Sequence, residues 1–387
     1  MLFRSKLEIQ VLDARNRSLG VEHPHTIDAM ENLAIIYRYL GKYTEAEKLN
    51  GQVLDARNRI LGVEHPDTIH TMGNLAATYH YLGKYAEAEK LNIQVLDARN
   101  RIHGVEHPDT IRAMANLAAI YRSLGKYMKA ENLDIQVLDA SSRLLGVEHP
   151  DTINAMANLA VTHHYLGKYA EAEKLKIQVL DARNRILGVE HPETVRAMGN
   201  LAATYRNLGK YSEAEKLEIQ VLDASSRILG VEHPDTINAM TNLAATYHHL
   251  GKYAEEGNLE TRVLDARNRI LGVEHPETIK AMENLAATYE NLGKYTEAKK
   301  LKTQAHKLKR RIPAAKSPHP IATMANVQAA EEIPVLDAGS TVPGEESFHS
   351  IQVVLNSPVQ AALTNTIMNP EKKGIYFSNC HLNPLSC

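Results

Sequence analysis

The stretch GVEHPDTIHTMGNLAATYHYLGKYAEAEKLNIQVLDARNRIH, residues 62–103, decides the fold of this chain because the chain repeats it. Its first five letters, GVEHP, recur at a constant spacing of 42 residues, beginning at Gly20, Gly62, Gly104, Gly146, Gly188, Gly230 and Gly272. Self-similarity at a fixed period of this size is the signature of a repeat architecture. The 387 residues are therefore used for repetition rather than for two or three independent domains.

Each 42-residue unit carries two apolar patterns of helical period, separated by a short LGK break. In residues 62–103 the first pattern follows a proline, which is tolerated at the first position of a helix, and it ends before Gly83. The unit is therefore predicted to be a hairpin of two helices, which we name helix A and helix B. A hairpin of this size buries only part of its apolar surface, so neighbouring hairpins must stack on it. We predict an all-α solenoid.

Small residues recur where the two helices of a hairpin must approach closely, as at Ala34 and Ala46. The pattern LAxxYxxxGxYxxA that begins at Leu33 resembles the tetratricopeptide repeat signature. The 42-residue period, with HP before helix A and GKY after it, resembles the kinesin light chain and nephrocystin-3 type, over about residues 7–312. The resemblance implies a right-handed α-solenoid whose helices A line a concave groove. Receptors of the NB-ARC/NACHT class, which carry similar arrays, are among the relatives it implies.

The chain departs from these relatives at two points. Family members often have an aromatic residue seven positions after the helix B tyrosine, whereas this chain has polar residues there: Asn50, Asn92, Asp134, Lys176, Glu218, Glu260 and Lys302. No heptad segment of the kind that joins light chains to their motor is present. The resemblance therefore favours the recognition part of a sensor or adaptor, with a kinesin light chain-like cargo adaptor as the alternative.

Composition limits the partners of the chain. Lys plus Arg (44) nearly cancel Asp plus Glu (46), and the net charge of -2 gives no global field to attract nucleic acid or an anionic membrane. The only cysteines, Cys380 and Cys387, lie near the end, and no apolar run reaches the roughly 18 residues of a membrane span. The first residues lack the apolar run of a secretory signal. We expect a cytoplasmic protein with neither nucleic acid nor a membrane as a partner.

The period also predicts the organisation of the chain. We expect a partial repeat with helix B only in residues 1–19 and a seven-repeat array in residues 20–312. A degenerate eighth helix A is expected in residues 313–334, and a disordered tail without period in residues 335–387. Because the first segment lacks its own helix A, a structural array that self-associates through this open N-terminal end is a further alternative.

Seven histidines precede the prolines that begin the helices A, at His23, His65, His107, His149, His191, His233 and His275. Successive copies are expected roughly 10 Å apart, whereas zinc ligands converge within about 2 Å of one point, so we predict a helix-entry role rather than metal binding. The GKY string lacks the glycines of a phosphate loop, and no HExxH, carboxylate pair or Ser/His/Asp arrangement is present. We expect no catalysis, no cofactor and no metal.

The predicted ligand site lies on helix A, where one asparagine recurs in every unit. An asparagine is a mediocre helix former, and its amide offers one acceptor and two donors that can pair with the backbone of an extended peptide. Family members use the equivalent residue in this way. A hydrogen bond to the adjacent repeat is an equally good alternative. The residues are Asn32, Asn74, Asn116, Asn158, Asn200, Asn242 and Asn284.

The residue after the helix A tyrosine position can carry positive charge in six of the seven units. These residues are Arg38, His80, Arg122, His164, Arg206 and His248, and Tyr39, Tyr81 and Tyr165 follow three of them. Arginine forks and stacking tyrosines favour an acidic or aromatic-acidic peptide, and a solvated helix surface is the alternative. If the histidines face the ligand, we expect binding to strengthen as the pH falls through roughly 6.5.

Overall fold

The computed structural model describes the backbone of residues 2–310 and the side chains of residues 5–310, so the expectations for residues 313–387 lie outside the described part. The described part consists of helices and contains no strand. The helices are α1 (Leu2–Leu19), α2 (Pro24–Tyr39), α3 (Tyr43–Ile60), α4 (Pro66–Tyr81), α5 (Tyr85–His103), α6 (Pro108–Ser123), α7 (Tyr127–Leu145), α8 (Pro150–Tyr165), α9 (Tyr169–Leu187), α10 (Pro192–Asn207), α11 (Tyr211–Leu229), α12 (Pro234–His249), α13 (Tyr253–Leu271), α14 (Pro276–Asn291) and α15 (Tyr295–Lys309).

The helices form seven consecutive hairpins, from α2–α3 to α14–α15, and α1 precedes them as an unpaired helix B. Each helix packs mainly against the helix before it and the helix after it in the chain. The even-numbered helices of the hairpins are the helices A, and the odd-numbered ones are the helices B. The prediction of an all-α solenoid of helical hairpins is confirmed.

Each helix A begins at the proline of the His-Pro pair, and the histidine before it caps the helix. His65 has an extended backbone, with φ −68° and ψ 138°, and its Nδ1 accepts the backbone N–H of Asp67 at 3.2 Å. A capping acceptor satisfies one of the N–H groups that the first turn leaves without a partner. The other six histidines accept in the same way. The predicted helix-entry role is confirmed.

Glycines end the helices at points that require a left-handed backbone. Gly83, in the turn between the helices of the second hairpin, has φ +73°, and Gly104, after its helix B, has φ +83°. Side chains with a Cβ rarely adopt such angles. The chain can therefore reverse within a few residues and return the next helix to the array.

The alanines predicted at close helix contacts are fully buried. Their exposed fraction is 0% on both sides of the contact, at Ala34, Ala76, Ala118, Ala160 and Ala202 on helices A and at Ala46, Ala88, Ala130, Ala172 and Ala214 on helices B. At this packing density an added methylene has no free volume.

A ladder of ion pairs joins successive helices B at the surface. The lysine before each helix B bonds a glutamate of the preceding helix B, as Lys84 Nζ does with Glu47 Oε1 at 2.7 Å. The other pairs are Lys126–Glu89, Lys168–Glu131, Lys210–Glu173 and Lys252–Glu215. Each partly exposed pair contributes only about 0 to 1 kcal/mol. One such ion pair connects each two successive hairpins from the first to the sixth. We call the contact between two successive hairpins a joint.

Neighbouring alanines on α12 give a matched test of the packing. Ala244 is 2% exposed, and Ala245 is exposed. We expect Ala244→Leu to lower the free energy of unfolding by about 1 to 3 kcal/mol through overpacking, and Ala245→Leu to change it by less than about 0.5 kcal/mol. Chemical denaturation followed by circular dichroism measures both. Equal shifts for the two variants would show that the faces of α12 are assigned incorrectly.

Candidate functional site

The seven candidate asparagines differ in how deeply they are buried. Asn74 and Asn116 are 1% and 6% exposed, so their side chains offer no surface to a ligand. Asn158 and Asn200 are partly buried. The remaining asparagines are exposed: Asn32, Asn242 and Asn284. The expectation of seven equivalent ligand contacts is therefore wrong for Asn74 and Asn116, and among the exposed asparagines only Asn242 and Asn284 lie on successive helices A.

The residue before each asparagine follows the same gradation. It is small where the asparagine is buried or partly buried, at Gly73, Ala115, Ala157 and Gly199, and larger where the asparagine is exposed, at Glu31, Thr241 and Glu283. This signal is present in the sequence and was not used in the prediction.

Two asparagines bond the adjacent repeat. Asn74 Nδ2 donates to Glu31 Oε1 at 3.1 Å, across the joint between the first and second hairpins. Asn158 Oδ1 accepts from Arg122 Nη2 at 3.5 Å, across the joint between the third and fourth. At these positions the structure contains the hydrogen bond to the neighbouring repeat that was the alternative to peptide binding.

The arginines of the candidate site bond groups within the chain. Arg122 and its partner Asp134 on helix B are both buried, with Nη1 2.8 Å from Oδ2. Arg206 bonds Glu218 in the same way. Arg38 is 6% exposed and donates to the backbone oxygen of Asn74. The expectation that these three arginines present free positive charge to a ligand is therefore corrected.

The partners of the charged helix A residues lie on helix B, twelve residues further along the chain. They are the polar residues that stand where similar proteins often have an aromatic residue. The charges change together, as Arg122 with Asp134, Arg206 with Glu218, and Glu290 with Lys302 at 2.7 Å. The helix B residue also reaches a threonine on the next helix A, as Asn50 Nδ2 does with Thr78 Oγ1 at 3.0 Å and Asp134 Oδ2 with Thr162 Oγ1 at 2.5 Å. We call this line of helix A residue, helix B residue and threonine the polar seam.

The histidines of the site differ in their surroundings. His80 Nε2 lies 2.8 Å from Ser123 Oγ, and burial together with the nearby Arg122 lowers the pKa of His80 to about 4. The expected gain of charge near pH 6.5 therefore does not apply to His80. His164 is partly buried and packs edge-on against Tyr169. His248 has a side chain 47% exposed, with Nδ1 3.1 Å from Glu256 Oε1.

The tyrosines stack between adjacent repeats. Tyr81 is parallel to Tyr43 of the preceding hairpin at a centroid distance of 5.3 Å, and Tyr165 is parallel to Tyr127 at 5.0 Å. The Tyr39 ring lies 5.9 Å from the Cζ atom of Arg38. Offset or parallel ring pairs at these distances stabilise a contact by about 0.5 to 1.5 kcal/mol beyond burial. These rings stabilise the joints of the array.

The residues that do face solvent cluster on the sixth and seventh hairpins. Asn242, Ala245 and His248 on α12 are exposed, as are Asn284 and Ala287 on α14. We call these five residues the open helix A surface. In the second to fifth hairpins the same positions are buried or partly buried, and in the first hairpin Asn32 alone is exposed, so the continuous open surface lies on the sixth and seventh hairpins.

Within residues 2–310, no three His, Cys, Asp or Glu side chains are arranged to hold a metal ion. None of the helices described combines the length and the apolar character that crossing a bilayer requires.

The buried pair of Arg122 and Asp134 gives a double-mutant test of the polar seam. We expect Asp134→Ala to cost about 3 to 5 kcal/mol of unfolding free energy, because it leaves a buried guanidinium uncompensated, and Arg122→Met with Asp134→Leu to recover most of that loss. Glu22→Ala, which breaks an exposed pair with Arg59, is the control and should cost less than about 1 kcal/mol. A small loss for Asp134→Ala alone would contradict the structural role of the seam.

His80 predicts a dependence of stability on pH. Its folded pKa of about 4 lies below the ordinary 6.5, so between these values the unfolded chain takes up a proton that the folded chain does not. The contribution of His80 to the free energy of unfolding should fall as the pH drops through this window, by at most about 3 kcal/mol. Ring proton shifts measured by NMR should give a midpoint near 4 for His80, and His80→Gln should remove this part of the slope. A midpoint near 6.5 would contradict the burial.

Comparison with known proteins agrees with this architecture. A family model described as Tetratricopeptide repeat matches residues 9–59, 26–101, 67–140, 109–185, 158–227 and 193–266, and a second model of that description matches residues 278–312. Among curated proteins, none matches the sequence.

Several solved structures are similar to this chain. The nearly identical TPR-like repeats of a putative kinesin light chain from Podosopora anserina are 29% identical and cover 53% of this chain and 97% of that chain, with a TM-score of 0.49. The apo form of RapI is 13% identical and covers 81% and 82%, with a TM-score of 0.57.

A STAND protein (Signal Transduction ATPase with Numerous Domains) from Pyrococcus horikoshii, which has a tetratricopeptide repeat sensor, is 14% identical and covers 86% of this chain and 49% of that chain, with a TM-score of 0.54. At such identities RapI and the STAND protein share the fold. The family models match most of the described residues and the helical hairpins stack as such repeats do, and the chain belongs to the tetratricopeptide repeat family, whose arrays are protein-interaction scaffolds.

Proposed function

We propose that this scaffold binds an extended segment of a partner protein along the open helix A surface of α12 and α14. The observation that carries the proposal is the exposure of Asn242 and Asn284, the two accessible asparagines on successive helices A. Each amide offers an acceptor and two donors to a peptide backbone. An extended chain covers about 3.3 Å per residue, so a peptide segment of several residues is expected to reach both amides.

The neighbours of these asparagines support a close approach of a peptide. Ala245 and Ala287 are exposed one turn after them, and a methyl group leaves the peptide backbone room near the helix. Backbone pairing of this kind is independent of the sequence of the peptide. The surface would therefore recognise an extended conformation first.

The structure supports an extended ligand more strongly than an acidic one. The acidic preference rested on Arg38, Arg122 and Arg206, which bond groups within the chain. On the open surface His248 lies against Glu256. The geometry thus favours a ligand held by its backbone over one selected by acidic side chains.

A peptide selection tests this function. Twelve-residue random peptides displayed on phage would be selected against the full chain, and the affinity of the best binders measured by fluorescence anisotropy. We expect Asn242→Ala with Asn284→Ala to weaken binding about 5- to 100-fold, because two amide pairs of about 0.5 to 1.5 kcal/mol each are lost.

Asn32→Ala is the matched control, since Asn32 is exposed but the next asparagine along, Asn74, is buried. It should leave the affinity unchanged. Unchanged affinity in the double variant would place the ligand elsewhere, and failure to select any peptide would contradict the proposed function.

A further inference from the structure

The sixth hairpin departs from the other six at consecutive positions of α13. Glu256 stands where the other helices B have the buried alanine, as at Ala214 and Ala298. Gly257 stands where the glutamate of the surface ladder is found in the first five hairpins, as at Glu215. Both changes fall on the helix that packs against the seventh hairpin through α14.

The glycine removes one rung of the ladder. Lys294 is the equivalent of Lys252 in the seventh hairpin, and Gly257 has no carboxylate to offer it. Lys294 Nζ lies 5.4 Å from the centre of the Tyr289 ring, a contact that Lys252 and other ladder lysines make in addition to their ion pairs. The joint between the sixth and seventh hairpins therefore lacks the ion pair that closes the five preceding joints.

The glutamate adds a second carboxylate to the polar seam at the same joint. Thr288 Oγ1 on α14 lies 2.9 Å from Glu256 Oε1 and 2.6 Å from Glu260 Oε2. A hydroxyl has one hydrogen to donate, so it can satisfy only one of two ionised carboxylates. With both carboxyls ionised, one of the two short contacts has no hydrogen between its oxygens, whereas a proton on one carboxyl lets that group donate to Oγ1 while the hydroxyl donates to the other.

The charges that face Glu260 do not supply a strong cation. The adjacent α12 contributes His248, whose Nδ1 is 3.1 Å from Glu256 Oε1, and α13 contributes Glu256 itself. From α14 the facing group is the Thr288 hydroxyl. In the third hairpin the equivalent carboxylate, Asp134, bonds the guanidinium of Arg122.

We propose that the joint between the sixth and seventh hairpins is a proton-controlled hinge, held closed by a hydrogen-bond chain from protonated Glu260 through Thr288 to Glu256 and loosened when that proton is lost. Without the proton, two carboxylates compete for one hydroxyl beside a single histidine. The missing ladder rung leaves this side of the joint without an ion pair, although Arg267 on α13 bonds Glu277 on α14 at 3.4 Å and one buried apolar cluster spans both helices.

The direction of the pH effect follows from linkage. Burial and the neighbouring Glu256 raise the pKa of Glu260 from 4.5 to about 7, although the Thr288 hydrogen bond and His248 oppose this. The proton stabilises the closed joint fully below pH 4.5, and this stabilisation is lost as the pH rises to about 7. Within that window the population of the open joint should rise by at most about tenfold per pH unit.

The hinge also affects the open helix A surface, because Asn242 lies on one side of the joint and Asn284 on the other. This consequence for ligand binding depends on the function proposed above. The hinge itself does not, and its test requires no ligand.

Hydrogen–deuterium exchange of the full chain tests the hinge, with exchange rates corrected for the intrinsic dependence on pH. We expect protection of α13 and α14 near the joint to fall between pH 5 and 7, while α7 and α8 at the joint where Asp134 bonds Thr162 keep theirs. Glu260→Gln should flatten this dependence, because its amide donates to Thr288 Oγ1 at every pH.

Two further variants separate the parts of the proposal. Gly257→Glu supplies the missing rung, and an added Cβ there meets Leu292 and Thr288 at an ordinary 3.6 Å, so protection should rise at all pH values with the slope retained. Glu255→Gln, an exposed change on the same helix, should alter nothing. The proposal is overturned if wild type and Glu260→Gln show the same pH dependence, or if protection at the joint does not vary with pH.

Discussion

Each hairpin leaves an apolar face uncovered until the next hairpin packs against it. The rest of the structure follows from this need for a neighbour. Contacts run mainly between helices adjacent in the chain, so stability is the sum of hairpin and joint contributions. Alanines such as Ala118 and Ala130, both 0% exposed, set how closely the helices approach. A change at one joint is therefore felt by two hairpins and not by the whole chain.

The joints are closed by polar groups as well as apolar ones, and this changes how the sequence should be interpreted. A buried ion pair such as Arg122–Asp134 adds little net stability over apolar packing, but removing one partner is costly. Because the seam residues differ from joint to joint, they distinguish repeats whose framework is nearly identical. Recurring charged positions on helix A therefore make contacts within the array in its interior and are candidate ligand contacts only where the surface opens.

The fold was predictable from the sequence because its determinants are local and periodic. The His-Pro helix starts, the glycine ends and the close-packed alanines each follow from residue chemistry within one unit, and the structure confirms them. The site was less predictable, because Asn74 and Asn284 occupy the same position of the same motif and differ only in their neighbours. The pairing of opposite charges on helix A and helix B, twelve residues apart, is visible in the sequence. From the sequence alone, the helix B residue is interpreted only as a departure from similar proteins.

The central claim is that burial of the helix A asparagines is graded along the array, and thiol labelling measures it directly. In a chain with Cys380→Ser and Cys387→Ser, single cysteines are introduced by Asn74→Cys, Asn116→Cys, Asn242→Cys and Asn284→Cys, and their rates of reaction with a maleimide are compared under native conditions. The account predicts that the thiols at 242 and 284 react at least about tenfold faster than those at 74 and 116, because thiol reactivity requires access. Equal rates at all four positions would contradict it.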